Sequence, residues 1–185
     1  MQAWADCMRE DGSMPHTAPN PYAAGGGPFW CGFIITASWQ TYLNYGDRRL
    51  LDRYYLYMQQ WLEYVAHYTI DGLLKKWPDT SYRNWYLGDW ATPVGIDQTN
   101  PLSVDLVDNC YIAVCYQTMS KIASLLGKAD DSRGYKAKYD ALTKRIQETF
   151  YDTKGNTYAS GTQIDLVYPM LAGVTPDNLK ETVLK

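Results

Sequence analysis

The residues best placed to do chemistry lie in Tyr82-Arg83-Asn84-Trp85-Tyr86-Leu87-Gly88-Asp89-Trp90, which follows a long amphipathic segment and opens an irregular, Pro- and Gly-containing stretch. The triplet Gly88-Asp89-Trp90 sets a carboxylate beside an indole, with no helical turn to hide either. That pair suits a sugar ring: hydroxyls donate to the carboxylate, and the C–H face stacks on the indole. The competing reading is a Trp that anchors the loop and an Asp that caps the next helix; taken alone, the triplet favours it. Aromatic usage leans toward an amphipathic ligand, with 17 Tyr and 7 Trp against 3 Phe, because Tyr and Trp join an apolar face to a polar edge. A helical core rimmed by Tyr explains most of the tyrosines, but the Trp-bearing loops less well.

Other chemistries find little support. Cys7, Cys31, Cys110 and Cys115 form no Cys-x-x-Cys pair, and with two histidines they make a poor zinc set. They read as buried free thiols. No Ser-His-Asp set or cation-binding loop stands out, and Gly25-Gly26-Gly27 lacks the Lys-Ser/Thr that would make it a phosphate loop. No metal or cofactor is expected. Asp47 and Asp105 read as helix N-caps, Glu10 and Asp11 as the end of a helix, and Glu63 and Glu148 as solvated helix positions. Asp97 sits in a loop without a partner, and Asp165 can face either a ligand-bearing end or solvent.

A net charge of −3 argues against nucleic acid and against an anionic membrane surface. No apolar run reaches the roughly 18 residues a membrane span needs. The first residues lack the basic and apolar regions of a signal peptide, so any export signal would lie upstream. The compartment stays open.

Helical periodicity dominates, and no alternating strand is convincing. Helices are expected at about 1–10, 30–45, from Asp47 through Val65, 103–126, 132–150 and 162–171, with a last one after Thr175-Pro176, where Thr175 caps and Pro176 opens. Ile34, Ile35, Trp39, Tyr42 and Leu43 form the apolar side of the second helix; Leu50, Leu51, Tyr54, Met58, Trp61, Leu62 and Val65 form that of the third. Gly46 and Gly127 mark tight turns that force antiparallel neighbours. These turns alternate with long loops at 12–29, 69–102 and 151–161. In a toroid of helical hairpins the long loops collect at one end, where a ligand site is built.

The order of these pieces resembles the six-hairpin (α/α)6 barrel of the bacterial α-L-rhamnosidases of glycoside hydrolase family 78. The resemblance rests on Trp4-x-Asp6 with Glu10-Asp11-Gly12-Ser13-Met14-Pro15, Gly26-Gly27-Pro28-Phe29-Trp30, and Trp39-x-x-Tyr42-Leu43-x-Tyr45-Gly46-Asp47. It continues through Met58-x-x-Trp61-Leu62-x-Tyr64, Gly88-Asp89-Trp90, Ile122-Ala123-x-Leu125-Leu126-Gly127 and Thr162-Gln163. It covers nearly the whole chain and implies an all-α fold, with residues 1–185 forming part of a catalytic domain.

The resemblance implies inverting release of terminal α-L-rhamnose, by an acid and a base roughly 6.5–9.5 Å apart. The motifs that carry that acid and base in the family do not occur here, so both are expected outside 1–185. It further implies that Trp30 and Trp90 are stacking platforms and that Asp89 accepts from a hydroxyl. His16 is a weaker substrate-binding candidate, with a solvent-exposed loop histidine as the competing reading. Trp30-Cys31-Gly32 departs from relatives that carry Trp-x-Asp, which removes one hydroxyl contact. A carbohydrate is the expected partner. The resemblance is compatible with a periplasmic or secreted protein, and a partial toroid is expected to self-associate through uncovered apolar faces. A non-catalytic helical sugar-binding module is the alternative from another class; a different six-hairpin glycosidase or a lyase is a third reading, the lyase disfavoured by net negative charge and few histidines.

Overall fold

The computed structural model describes residues 1–19, 24–25, 27–76, 83–84, 86, 88 and 100–184. Its helices are α1 (Gln2–Asp6), α2 (Pro28–Cys31), α3 (Phe33–Tyr45), α4 (Arg49–His67), α5 (Pro101–Leu125), α6 (Ala129–Phe150), α7 (Gln163–Leu171) and α8 (Asp177–Val183). Three pairs of two-residue strands lie in the connections: β1 (Ala24–Gly25) pairs in parallel with β4 (Arg83–Asn84), while β2 (Thr69–Ile70) with β3 (Leu73–Leu74) and β5 (Tyr151–Asp152) with β6 (Thr157–Tyr158) are hairpins. The all-α expectation holds, with these short pairs added to it.

The α3–α4 turn is set by Gly46, whose φ of 67° closes α3 through its N–H on the Tyr42 carbonyl. Asp47 then accepts from the Arg49 backbone N–H at 3.0 Å. It shapes the turn, but the cap position belongs to Arg48, one residue later than expected. α4 buries Leu51, Tyr54, Tyr55, Met58, Trp61, Leu62, Tyr64 and Val65, the spacing of a single apolar stripe. α6 does likewise with Tyr135, Leu142, Ile146 and Phe150. α5 has no such stripe, because consecutive residues Leu106 to Cys110 are all buried.

Several boundaries differ from the sequence expectation. α1 stops at Asp6 rather than near Glu10, and Asp11 instead accepts from the Ser13 backbone N–H in the turn that follows. The helix expected from Trp30 is two helices, broken at Gly32. α5 starts at Pro101 with Asn100 as its cap, the Asn side chain accepting from Ser103 N–H at 3.3 Å. Asp105 is therefore no cap; it lies in the second turn and pairs with Lys75 at 3.2 Å. α6 starts earlier, at Ala129, and the cap position of α8 is Pro176 rather than Thr175. Leu43, expected on the apolar side of α3, is 56% exposed. The free-thiol reading of the cysteines holds: Cys31, Cys110 and Cys115 are buried and Cys7 is half-buried.

Candidate functional site

Specific contacts tie the described parts of the long connections to one another and to α5. Asn100, capping α5, donates to Ser160 Oγ at 2.6 Å. Ser103 in the first turn of α5 donates to Asp165 Oδ1, and Asp165 Oδ2 accepts from the backbone N–H groups of Ser160 and Thr162 at 3.1 and 3.3 Å. With Thr162 it completes a capping box at the start of α7. Asp165 is thus fully buried and faces neither solvent nor an open mouth. It fastens the loop before α7 to the start of α5.

The loop leading into Trp30 and the loop leading into Gly88-Asp89-Trp90 share a backbone pairing, Ala24 with Arg83 and Gly25 with Asn84. Gly88 is seated on α5, where a side chain would meet the Val104 Cα at 3.2 Å and the Val107 Cβ at 3.5 Å. Further along, Phe29 stacks on Tyr111 of α5 with ring centroids 4.3 Å apart, and meets Tyr168 of α7 edge-on at 5.4 Å. Val104, Asp108, Tyr111 and Cys115 recur at helical spacing along one stripe of α5, so this stripe supports both loops.

Trp30 sits in the one-turn helix α2 and is half-buried. His16 is buried, which overturns the solvent-exposed reading; its segment is held to α2 by the Cys31 thiol, which donates to the Met14 carbonyl with Sγ 3.2 Å from the oxygen. Asp89, Trp90 and Asp97 lie outside the described residues. The departure at Gly32 has a steric cause. A Cβ there would stand 2.5 Å from Tyr111 Cε1 and 3.0 Å from both Cys115 Sγ and the Pro28 carbonyl oxygen, so the Tyr111 ring occupies the room a carboxylate side chain would need.

Two polar residues on α5 escaped the sequence reading. Asn109 serves Leu74 as a neighbouring strand would, accepting from its N–H at 2.8 Å and donating to its carbonyl at 3.1 Å, with a further bond to the Asp105 carbonyl at 2.8 Å. Asp108 is 0% exposed, and among the described residues neither carboxylate oxygen has a hydrogen-bond partner. Burial, then the nearby Asp105 charge, holds its carboxyl well above the usual carboxylate range. Burial also raises the Tyr86 phenol, with Asp108 and Asp105 adding to the effect. An unpaired buried acid of this kind is found more often at functional sites than elsewhere.

A separate cleft of about 400 Å³ opens between the turn at Glu10-Asp11-Gly12 and α4, with Gln60, Glu63, Tyr64, His67 and Tyr68 on its wall. It offers carboxylates without an indole. No group of metal-binding side chains occurs among the described residues, and no helix there is long and apolar enough to cross a membrane.

The sequence model described as the bacterial alpha-L-rhamnosidase 6 hairpin glycosidase domain matches residues 1–185. Among solved structures, the alpha-L-rhamnosidase from Dictyoglumus thermophilum is 26% identical and superposes with a TM-score of 0.86 over 99% of this chain and 20% of its own. The Streptomyces avermitilis alpha-L-rhamnosidase complexed with L-rhamnose is 23% identical, with a TM-score of 0.78 over 98% of this chain and 16% of its own. The Klebsiella oxytoca rhamnosidase with rhamnose bound, 13% identical, gives a TM-score of 0.69 over 95% of this chain and 34% of its own. The chain thus spans about a fifth of the Dictyoglumus protein's length. No curated protein matches it.

Proposed function

Because the chain belongs to the bacterial α-L-rhamnosidase six-hairpin glycosidase family, we propose that it forms one wall of the sugar pocket in an enzyme that releases terminal α-L-rhamnose. Trp30 and Trp90 stack on the sugar, Asp89 accepts from its hydroxyls, and His16 adds a polar contact from the segment clasped to α2. The reaction inverts the anomeric centre. An acid protonates the leaving oxygen and a carboxylate activates water across the ring, roughly 6.5–9.5 Å away. Both groups come from segments outside 1–185, so the chain alone is inactive and residues 1–185 are a part of the catalytic domain.

The observation that carries this reading is the pairing of Ala24–Gly25 with Arg83–Asn84. It draws together the two connections that lead to Trp30 and to Gly88-Asp89-Trp90, the juxtaposition that gripping a sugar between indoles requires. A polypeptide with the whole six-hairpin domain is expected to hydrolyse an aryl α-L-rhamnoside, and proton NMR of the first-formed sugar is expected to show the inverted anomer. Trp90→Ala is expected to weaken L-rhamnose binding by about 1–3 kcal/mol, the range of a lost ring-stacking contact. Unchanged binding would remove Trp90 from the site, and retention of configuration would remove the two-carboxylate inverting mechanism.

A further inference from the structure

We infer that Tyr111 is the positioning residue for Trp30: its ring, projected from α5, fixes the one-turn helix α2 and so sets where the indole stands against the sugar. This rests on the rhamnosidase reading above. α2 is four residues long and has no side-chain cap, and so short a helix has no stability of its own. Its position must come from what it packs on.

Tyr111 touches it at both ends. At the first turn, Phe29, the chain neighbour of Trp30, lies on the Tyr111 ring at 4.3 Å with the planes 19° apart, and Tyr168 closes the other side edge-on. At the far end, the same ring fills the space above Gly32, where any Cβ would come within 2.5 Å of Cε1. The Tyr111 hydroxyl and Thr36 Oγ1 of α3 share a hydrogen bond at 3.1 Å, which holds the ring from turning out of the gap. Trp30 needs no contact with Tyr111 to be governed by it. It is the next residue along a turn whose two ends Tyr111 grips.

A core ring that merely fills space would change thermal stability when trimmed; a positioning ring also changes sugar affinity while leaving the chemical step alone. The test uses the complete enzyme, with 4-nitrophenyl α-L-rhamnoside kinetics and L-rhamnose titration read by indole fluorescence. Tyr111→Leu is expected to raise KM about three- to ten-fold, weaken rhamnose binding by a similar factor, and alter kcat by less than about two-fold. Tyr111→Phe keeps the stack and is expected to hold KM within about two-fold of the parent. Gly32→Ala is expected to raise KM where Tyr111 is present and to lose most of that effect when combined with Tyr111→Leu.

Phe29→Leu removes the stack from the other partner and is expected to raise KM in the same way; it decides the matter if Tyr111→Leu does not fold. Parental KM and rhamnose affinity in a folded Tyr111→Leu or Phe29→Leu protein would overturn the proposal, as would a fall in kcat at constant KM. An unsubstituted enzyme that neither cleaves the aryl rhamnoside nor binds L-rhamnose defeats the rhamnosidase reading, and the role of Tyr111 with it. The variant series defeats the role of Tyr111 alone.

Discussion

α5 and α6 are neighbouring helices of 25 and 22 residues, joined by a tight turn, and they treat polar side chains in opposite ways. α6 hides one stripe and turns its charges outward, where Lys136 and Asp140 approach to 2.6 Å with both side chains more than half exposed. α5 is buried around most of its middle stretch and takes Asp108, Asn109 and Thr118 into the interior with its apolar residues. A charge on α6 keeps its water, so its pairings add little. A polar group on α5 is either matched atom for atom, as Asn109 is, or left as a standing cost, as Asp108 is. The stripe of α5 that bears Asp108 is also the one that seats Gly88 and Phe29, so the costly residue and the proposed sugar wall share a surface.

The contrast would break if enclosed polar groups proved no more consequential than exposed ones. Asn109→Leu should have the largest effect. It strands the buried Leu74 N–H and leaves the Leu74 carbonyl with the longer bond from the Tyr86 hydroxyl at 3.3 Å, and urea unfolding is expected to register a loss of about 2–4 kcal/mol. Asp108→Asn should act in the opposite direction, since it removes the need to bury a charge. The native carboxyl holds its proton more tightly than the unfolded one. Stability is therefore undiminished below the ordinary carboxylate range and falls as pH rises through and beyond it. The Asn variant is expected to gain about 1–3 kcal/mol at pH 7 and almost nothing near pH 4, as a pair of thermal melts would reveal; an equal gain at both values would mean that ionisation is not the source. Lys136→Ala on α6 should change unfolding free energy by no more than about 0.5 kcal/mol, with the difference vanishing at high salt.

The same contrast explains what could be read from the sequence. α4 and α6 were legible because one apolar stripe against a charged face is a periodic signal, and Leu142, Ile146 and Phe150 fall where the period puts them. Along α5 the buried residues fill consecutive positions, so periodicity does not fix its start, and a start at Ser103 makes Asp105 look like a cap. The true signal was local and readable: Asn100 before Pro101 is a capping residue followed by the one residue suited to the first helical position. The need for glycine at position 32 is not readable, because it follows from Tyr111, a residue distant in sequence that fills the space a side chain would take. The burial of His16 is hidden from the sequence for a related reason: a loop histidine becomes buried once Cys31 clasps its segment. Asp108 gives no signal in the sequence, because an acid in a helix ordinarily marks a wet face.

The shielded thiols have a consequence of their own. Cys110 lies on α5 among Asp108 and Asn109, and Cys115 lies against Gly32, while Cys31 closes α2 onto residues 14 and 15. Burial raises the proton affinity of Cys110 and Cys115, so an alkylating reagent in the surrounding water meets almost no thiolate while the native packing holds. Each sulfur becomes reactive only when its own layer opens. The rate at which a mass label appears on each one would therefore clock the breathing of the Trp30 turn separately from that of the central helix, with no foreign probe introduced.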